Sequence, residues 1–217
     1  ALAPNLNQRA RITDGGSTKG NVVAAARRAL GAKVAQFVPA HPVAGSHESG
    51  PQAARPDLYV GRQVVICPLA ENQPSDVSYV REAWLACGAD LKTLDAIVHD
   101  EVLASISHLP HWLASLYVAH VAKQPNAATC LAMAGAGFGD FSRIAQGSEE
   151  MWRDIFAANR EAMLRQISDL QDLLNQAELA LRANDTAWIE SMLTQSAQVR
   201  RQWGKGVFRG EQGHDPT

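Results

Sequence analysis

Arg11-Ile12-Thr13-Asp14-Gly15-Gly16-Ser17-Thr18-Lys19-Gly20 is the stretch on which the fold turns. Its first three residues form a short candidate strand ending at Asp14. The glycine-rich turn then leads into residues 21–30, an Ala- and Arg-rich helical run that Gly31 is well placed to end. Residues 34–38 and Gln63–Ile66 are further candidate strands, each closed by a proline, Pro39 and Pro68. Strand, helix, strand is the order of an open α/β sheet with right-handed crossovers. The few strands present are too few to cover both faces of such a sheet, so residues 1–70 read as an incomplete domain.

Residues 71–217 read as helical. Ser75 is a candidate cap for a helix running toward Cys87, with Gly88 as its stop. A brief extended segment is expected at 91–94, then a long helical stretch from 95 to about 122, interrupted by Pro110. Ser148 before Glu149 and Glu150 is a helix start, a capping hydroxyl followed by acids at the positive end of the dipole. Met163, Ile167, Leu170, Leu174, Ala177 and Leu181 fall at steps of four and three, an a/d seam flanked by polar positions. That seam reads as a dimer interface; the plainer reading is a helix buried against its own domain. The Gly-rich tail after Gly204 reads as frayed.

The bulk numbers narrow the function class. The 217 residues are 46% hydrophobic and 19% charged, with net charge −2, so nothing points to a nucleic-acid partner. His, Gly or charge breaks every apolar stretch before it can span a bilayer. Cys67, Cys87 and Cys130 are odd in number, far apart and form no C-x-x-C pair, which fits reduced thiols in a cytoplasmic protein. The opening Ala1-Leu2-Ala3-Pro4 has neither an initiator Met nor a signal-sequence pattern, so a start inside a longer protein is expected.

Four clusters can carry chemistry. In the first turn, Ser17 and the nearby amides lie at the carboxyl end of a strand, where open α/β sheets bind ligands. His41-Pro42-Val43-Ala44-Gly45-Ser46-His47-Glu48 follows the strand ending at Val38, which brings His41 near that turn. His99-Asp100 and Ser107-His108-Leu109-Pro110-His111 hold histidines at helical spacing. There is no H-E-x-x-H pattern and no third ligand at a recognised spacing, so a metal site is not expected. Gly135-Ala136-Gly137-Phe138-Gly139-Asp140 has Asp140 where a dinucleotide fingerprint needs its last glycine, and it follows a helix rather than a strand. Arg143, just beyond, can hold a carboxylate through two parallel hydrogen bonds, or it can form an ion pair with Asp140 or Asp154.

In order, these clusters resemble the prephenate/arogenate dehydrogenase family over nearly the whole chain. The family pattern is approximately D-x-G-S-x-K-G, H-P-x-A-G, H-D, S-H-L-P-H, G-F-x-D-x-[ST]-R-I-A and M-W-x-D-I. The chain supplies Asp14, Gly16-Ser17, Lys19-Gly20, His41-Pro42, Ala44-Gly45, His99-Asp100, Ser107 to His111, Gly137-Phe138, Asp140, Ser142 to Ala145, Met151-Trp152 and Asp154-Ile155. S-H-L-P-H is the most specific of these matches.

The resemblance implies the C-terminal part of a Rossmann dinucleotide-binding domain over 1–70. It implies an all-helical substrate-binding and dimerisation domain over 71–217, with the active site between the two. It implies oxidative decarboxylation of prephenate or arogenate with hydride transfer to NAD or NADP, in tyrosine biosynthesis, by a homodimer. His41 matches the catalytic histidine that accepts a hydrogen bond from the substrate's ring hydroxyl. Ser17 matches the serine that orients that histidine beside the nicotinamide. Asp14 and Gly16 join Ser17 as cofactor-side positions. Ser46, Ser107, His111, Arg143 and Trp152 match substrate-pocket positions, with Arg143 as the carboxylate anchor. Where many relatives have Glu two residues after the H-P-x-A-G glycine, this chain has His47, with Glu48 beside it. A β-hydroxyacid dehydrogenase shares the two-domain plan but not S-H-L-P-H or the motif from Phe138 to Ala145. A catalytically incompetent fragment, persisting as a helical dimer or regulatory module, is the remaining alternative.

The glycine-rich first turn and ribose-binding acid of a Rossmann domain have no counterpart in these residues. The expectation is therefore that the 217-residue chain by itself does not grip a dinucleotide's diphosphate. Titration calorimetry with NAD and with NADP checks this; micromolar binding of either overturns it.

Overall fold

The computed structural model describes residues 3–44 and 54–207. The chain divides into two compact units, Ala1–Gln166 and Ile167–Thr217.

In the first unit, α1 (Gly20–Leu30) ends at Gly31, whose φ of +54° is a backbone state that favours glycine. Three strands make a mixed sheet of order β1-β2-β3: Ala40–Pro42, Gln63–Ile66 and Asp90–Thr93. β1 runs antiparallel to β2, with His41 opposite Val65, and β2 runs parallel to β3 through the crossover helix α2 (Pro74–Ala86). Val64 and Ile66 share one face by strand alternation and pack with Val38, Ala40, Val80 and Ala89. Val23, Val34, Phe37 and Leu69 form a second apolar cluster.

The expected α/β part followed by helices is present, with four corrections in detail. The strand foreseen at residues 11–13 is a single parallel bridge, Ile12 to Phe37. Most of the strand foreseen at 34–38 is a 3-10 turn, Gly31–Gln36. Side-chain amides supplement the bridge there: Asn72 Nδ2 donates to Ala35 O and Phe37 O at 3.1 and 2.9 Å, and Gln36 Nε2 donates to Asn7 O and Ala10 O. His41 lies within a strand rather than after one, and the sheet is mixed rather than parallel. The sheet continues past residue 70 through β3 to Thr93.

Helix α2 starts at Pro74, with Gln73 as N-cap and no side-chain cap, so Ser75 sits inside it. Proline suits that first position because its missing N–H would have no helical partner there. Gly88, at φ +80°, follows α2 as foreseen. Asp95 caps α3 (Ala96–Leu103) by accepting from Ile97 N at 2.7 Å and Val98 N at 3.4 Å. A π-helical turn, Ala104–His108, then leads into α4 (Leu109–Ala122). Pro110 offers no N–H to the preceding turn, and the wider π turn carries the chain past it without ending the helical course. Short helices α5 (Ala127–Ala132) and α6 (Ala136–Ser142) follow, then a 3-10 turn at Arg143–Gln146. Ser148 caps α7 (Glu149–Ala158), its hydroxyl accepting from Met151 N at 3.4 Å as foreseen. The long α8 (Arg160–Arg182) carries the heptad seam and runs on into the second unit.

In the second unit α8 stops at Asn184, whose φ is +52°. Asp185 then caps α9 (Thr186–Gly204) by accepting from Trp188 N at 3.0 Å. Leu174, Leu181, Leu193, Val199 and Trp203 are exposed on these helices. Among the described residues, no helix is long and apolar enough to cross a membrane.

Candidate active site

A cleft of about 820 Å³ lies against the turn from Thr13 to Ser17. Thr13, Asp14, Gly15 and Ser17 line it from the turn, His41 from β1, and Ser107, His108 and Trp152 from the helices. That volume is within the range of small-molecule sites.

Local chemistry holds the walls in place. Lys19 is wholly buried, and its ammonium donates to Asp14 Oδ2 and to Ala40 O, the latter at 2.7 Å. Asp14 Oδ2 also accepts from Gly16 N at 2.9 Å, and Oδ1 from Ala40 N at 3.0 Å. One ion pair thus closes the turn and ties it to the strand that carries His41. From the helical side, Asp100 accepts from Lys19 N and Gly20 N, both at 2.8 Å, so a carboxylate stands on the N-terminal amides of α1. His99 Nδ1 lies 2.8 Å from Asp100 Oδ1, and His99 Nε2 lies 2.8 Å from His41 Nδ1.

This environment sets the charge states. Burial pushes the His41 ring down to about 3, reinforced by His99, Lys19 and His108; the upward pull of Asp100 is the smallest influence. Burial likewise pushes His108 down to about 4. Burial pushes Asp100 upward, but hydrogen bonds from His99, Gly20 N and Lys19 N together outweigh it and hold its carboxyl below the ordinary range. Both histidines on the cleft wall are therefore neutral near pH 7.

The structure brings Ser17, His41, Ser107 and Trp152 together as the sequence indicated. Other assignments change. Ser17 lines the cleft beside His41, and the ring contact of His41 that the structure records is with His99, Nδ1 to Nε2 at 2.8 Å. Asp14 lines the cleft, but both its oxygens hold the turn, and Gly16 contributes its N–H to the same purpose. His111 is buried behind the wall, stacked on Trp152 at 3.6 Å and 15°. It is outside the lining and stacks on Trp152, which is part of it. Arg143 is exposed, outside the lining, and forms no ion pair among the described residues, Asp154 being taken by Arg153. Its turn is nevertheless pinned nearby: a Cβ on Gly147 would come within 2.7 Å of Trp152 Nε1 and 3.0 Å of His111 Cε1, so only glycine lets the backbone approach this stack. Ser46 and the His47-Glu48 pair lie outside the described residues. Missed in the sequence were the roles of Lys19, His99, Asp100 and Asn159. The first three stand inside quoted motifs, which was the one signal available.

Comparisons with known proteins agree in both halves. A model described as prephenate dehydrogenase, nucleotide-binding domain, matches residues 1–93, and one described as prephenate dehydrogenase, dimerization domain, matches residues 95–195. The chain is similar to a crystal structure of prephenate dehydrogenase from A. aeolicus in complex with hydroxyphenyl propionate and NAD+. The TM-score is 0.81 at 31% identity, covering 93% of this chain and 69% of that one. A cyclohexadienyl dehydrogenase of Zymomonas mobilis is 27% identical over 202 residues, 92% of this chain and 68% of its own length. A prephenate dehydrogenase of Lactococcus lactis is 32% identical over 193 residues. There the match covers 88% of this chain and 52% of the relative, so the chain spans about half of that protein.

The neutral histidines make stability depend on pH with a definite sign. An unfolded chain protonates His41 and His108 near 6.5, the folded one only near 3 and 4. Between those values the unfolded state binds more protons, so their contribution is intact above about 6.5 and is lost as pH falls toward 3. Urea midpoints measured from pH 7.5 to 4 should fall, and His41→Gln should flatten that fall relative to wild type. A His41 resonance titrating near 6.5 would contradict the assignment.

Proposed function

This chain belongs to the prephenate dehydrogenase family, and on that premise we propose that it carries the catalytic part of an NAD(P)-dependent enzyme oxidatively decarboxylating prephenate or arogenate. The observation that carries the reading is His41, neutral and set in the cleft wall beside Ser17, Ser107 and Trp152. Reaction at a ring carbon bearing a hydroxyl turns that C–O bond into a carbonyl, so the hydroxyl proton needs an acceptor. A neutral imidazole provides one. Loss of the ring carboxylate as CO2 completes aromatisation.

The residues present fit the nicotinamide end of the cofactor. The turn from Thr13 to Ser17 offers small side chains, the hydroxyl of Ser17 and the backbone of Gly15 to the cleft that His41 also lines. A diphosphate does not fit the N-terminus of α1, because Asp100 already accepts from Lys19 N and Gly20 N. When bound, the nicotinamide supplies the hydride acceptor. The chain's own residues orient the substrate, take up its hydroxyl proton at His41 and shield the site with Trp152. We assign Ser107 to substrate contact, Arg143 to a substrate carboxylate, and the exposed seam residues Leu174 and Leu181 to a homodimer contact.

Steady-state assays with prephenate and with arogenate, on the protein as its gene encodes it, test the reading. His41→Asn should lower kcat by roughly a hundredfold or more with a smaller change in KM. A near-wild-type kcat would remove His41 from the mechanism. Arg143→Lys keeps the charge but loses the planar fork, so KM should rise on the order of tenfold while the fold survives. Normal KM for Arg143→Lys together with unfolding of Arg143→Ala would make the arginine structural.

A further inference from the structure

Asp100 reaches toward both cleft histidines, once through its side chain and once through its backbone. On the first path its carboxylate is held ionised and already accepts from Lys19 N and Gly20 N. An ionised carboxylate can only accept, so the 2.8 Å contact to His99 Nδ1 needs the proton on that nitrogen. With that single proton on the ring, His99 Nε2 is bare. The 2.8 Å separation from His41 Nδ1 is a hydrogen bond only if His41 Nδ1 donates, which leaves His41 Nε2 with its lone pair. A doubly protonated His99 would donate to His41 Nδ1 and reverse this order, leaving the His41 proton on Nε2.

On the second path, the backbone oxygen of Asp100 accepts from Asn159 Nδ2 at 2.7 Å. A carbonyl oxygen can only accept, so this bond fixes which end of the Asn159 amide faces it. The same nitrogen lies 3.1 Å from His108 Nδ1, toward which it directs its second N–H. His108 Nδ1 therefore accepts, and in the neutral ring the proton sits on Nε2. Neither Nε2 has a protein partner among the described residues, and both residues line the cleft.

We propose that Asp100 sets the two cleft imidazoles in opposite tautomers, through His99 for His41 and through Asn159 for His108. The wall then offers one ring nitrogen that accepts and one that donates. His99, Asp100 and Asn159 are positioning residues, and His108 is a donor to an oxygen of the substrate. The pair selects a ligand carrying a hydroxyl and, within reach of it, an acceptor oxygen such as a carboxylate. This deepens the function proposed above and rests on it only in assigning His41 to the reacting hydroxyl.

The test reads the tautomers directly. Long-range proton–nitrogen correlation spectra of the protein labelled with 15N-histidine should show His41 protonated at Nδ1 and bare at Nε2, and His108 the reverse. His99→Leu, which removes the acceptor, should mix the His41 tautomers and lower kcat on the order of a hundredfold, with KM within about threefold. His99→Gln, which keeps an acceptor oxygen, should recover at least about tenfold of that loss, which a merely structural role would not predict. Wild-type spectra with the proton on His41 Nε2 or on His108 Nδ1 overturn the proposal without needing any variant to fold. If His41→Asn still abolishes turnover in that case, the function stands and only the wiring fails. If the tautomers are as assigned but His41→Asn turns over normally, the wiring stands and the function fails.

Discussion

A lysine ammonium with no contact with solvent must be neutralised where it lies, and the architecture of the site follows from how Lys19 is satisfied. Desolvating one such charge costs several kcal/mol unless an opposite charge and full hydrogen bonding offset it. Asp14 supplies the charge and Ala40 O a further acceptor, while the other oxygen of Asp14 takes the N–H of Ala40. The glycine-rich turn and β1 are thereby held in one relation, and His41, next after Ala40, inherits it. The amide of the same lysine binds Asp100, so the helical part is referenced to the same point. Removing Asp14 or Asp100 alone would leave buried groups unpaired, a larger loss than any single surface ion pair represents.

Much of this was legible in the residues. Helix α1 and its Gly31 stop, β2, the Gly88 turn, the Ser148 cap and the heptad run on α8 each have a local cause that a sequence displays: composition, a cap or a period. The ordered motifs likewise gave Ser17, His41, Ser107 and Trp152, which the fold gathers around one cleft.

What was not legible depended on partners far along the chain. Residues 34–38 have strand composition, yet Asn72 satisfies the carbonyls of Ala35 and Phe37 and the pairing stays a single bridge, Ile12 to Phe37. The direction of β1 is set by its pairing with β2, about which an H-P motif is silent. Asp14 looks like a ligand group until its two oxygens are followed to Lys19, Gly16 and Ala40. His111 looks like a pocket residue until it is found stacked behind Trp152. His99 and Asp100 stood in the sequence only as an H-D motif, because spacing alone does not reveal that one faces His41 and the other the N-terminus of α1.

The π-helical turn at Ala104–His108 also bears on how such a sequence can change by descent. A π turn amounts to one residue more than an α-helix needs over the same course. Deleting a single residue there would remove the extra residue without removing any side chain that has a role, though Pro110 would then strain the helix it interrupts. Each residue on one side would then swing by about 100° relative to the other, since 3.6 residues complete a turn. His99 and Asp100 stand before that turn, while Ser107 and His108 lie within it and His111 just after. The shortened lineage would keep every motif letter but could face only one set of them toward the cleft. The spacing between H-D and S-H-L-P-H is therefore as constrained as the letters themselves, and length variation should be tolerated in the loops before it is tolerated here.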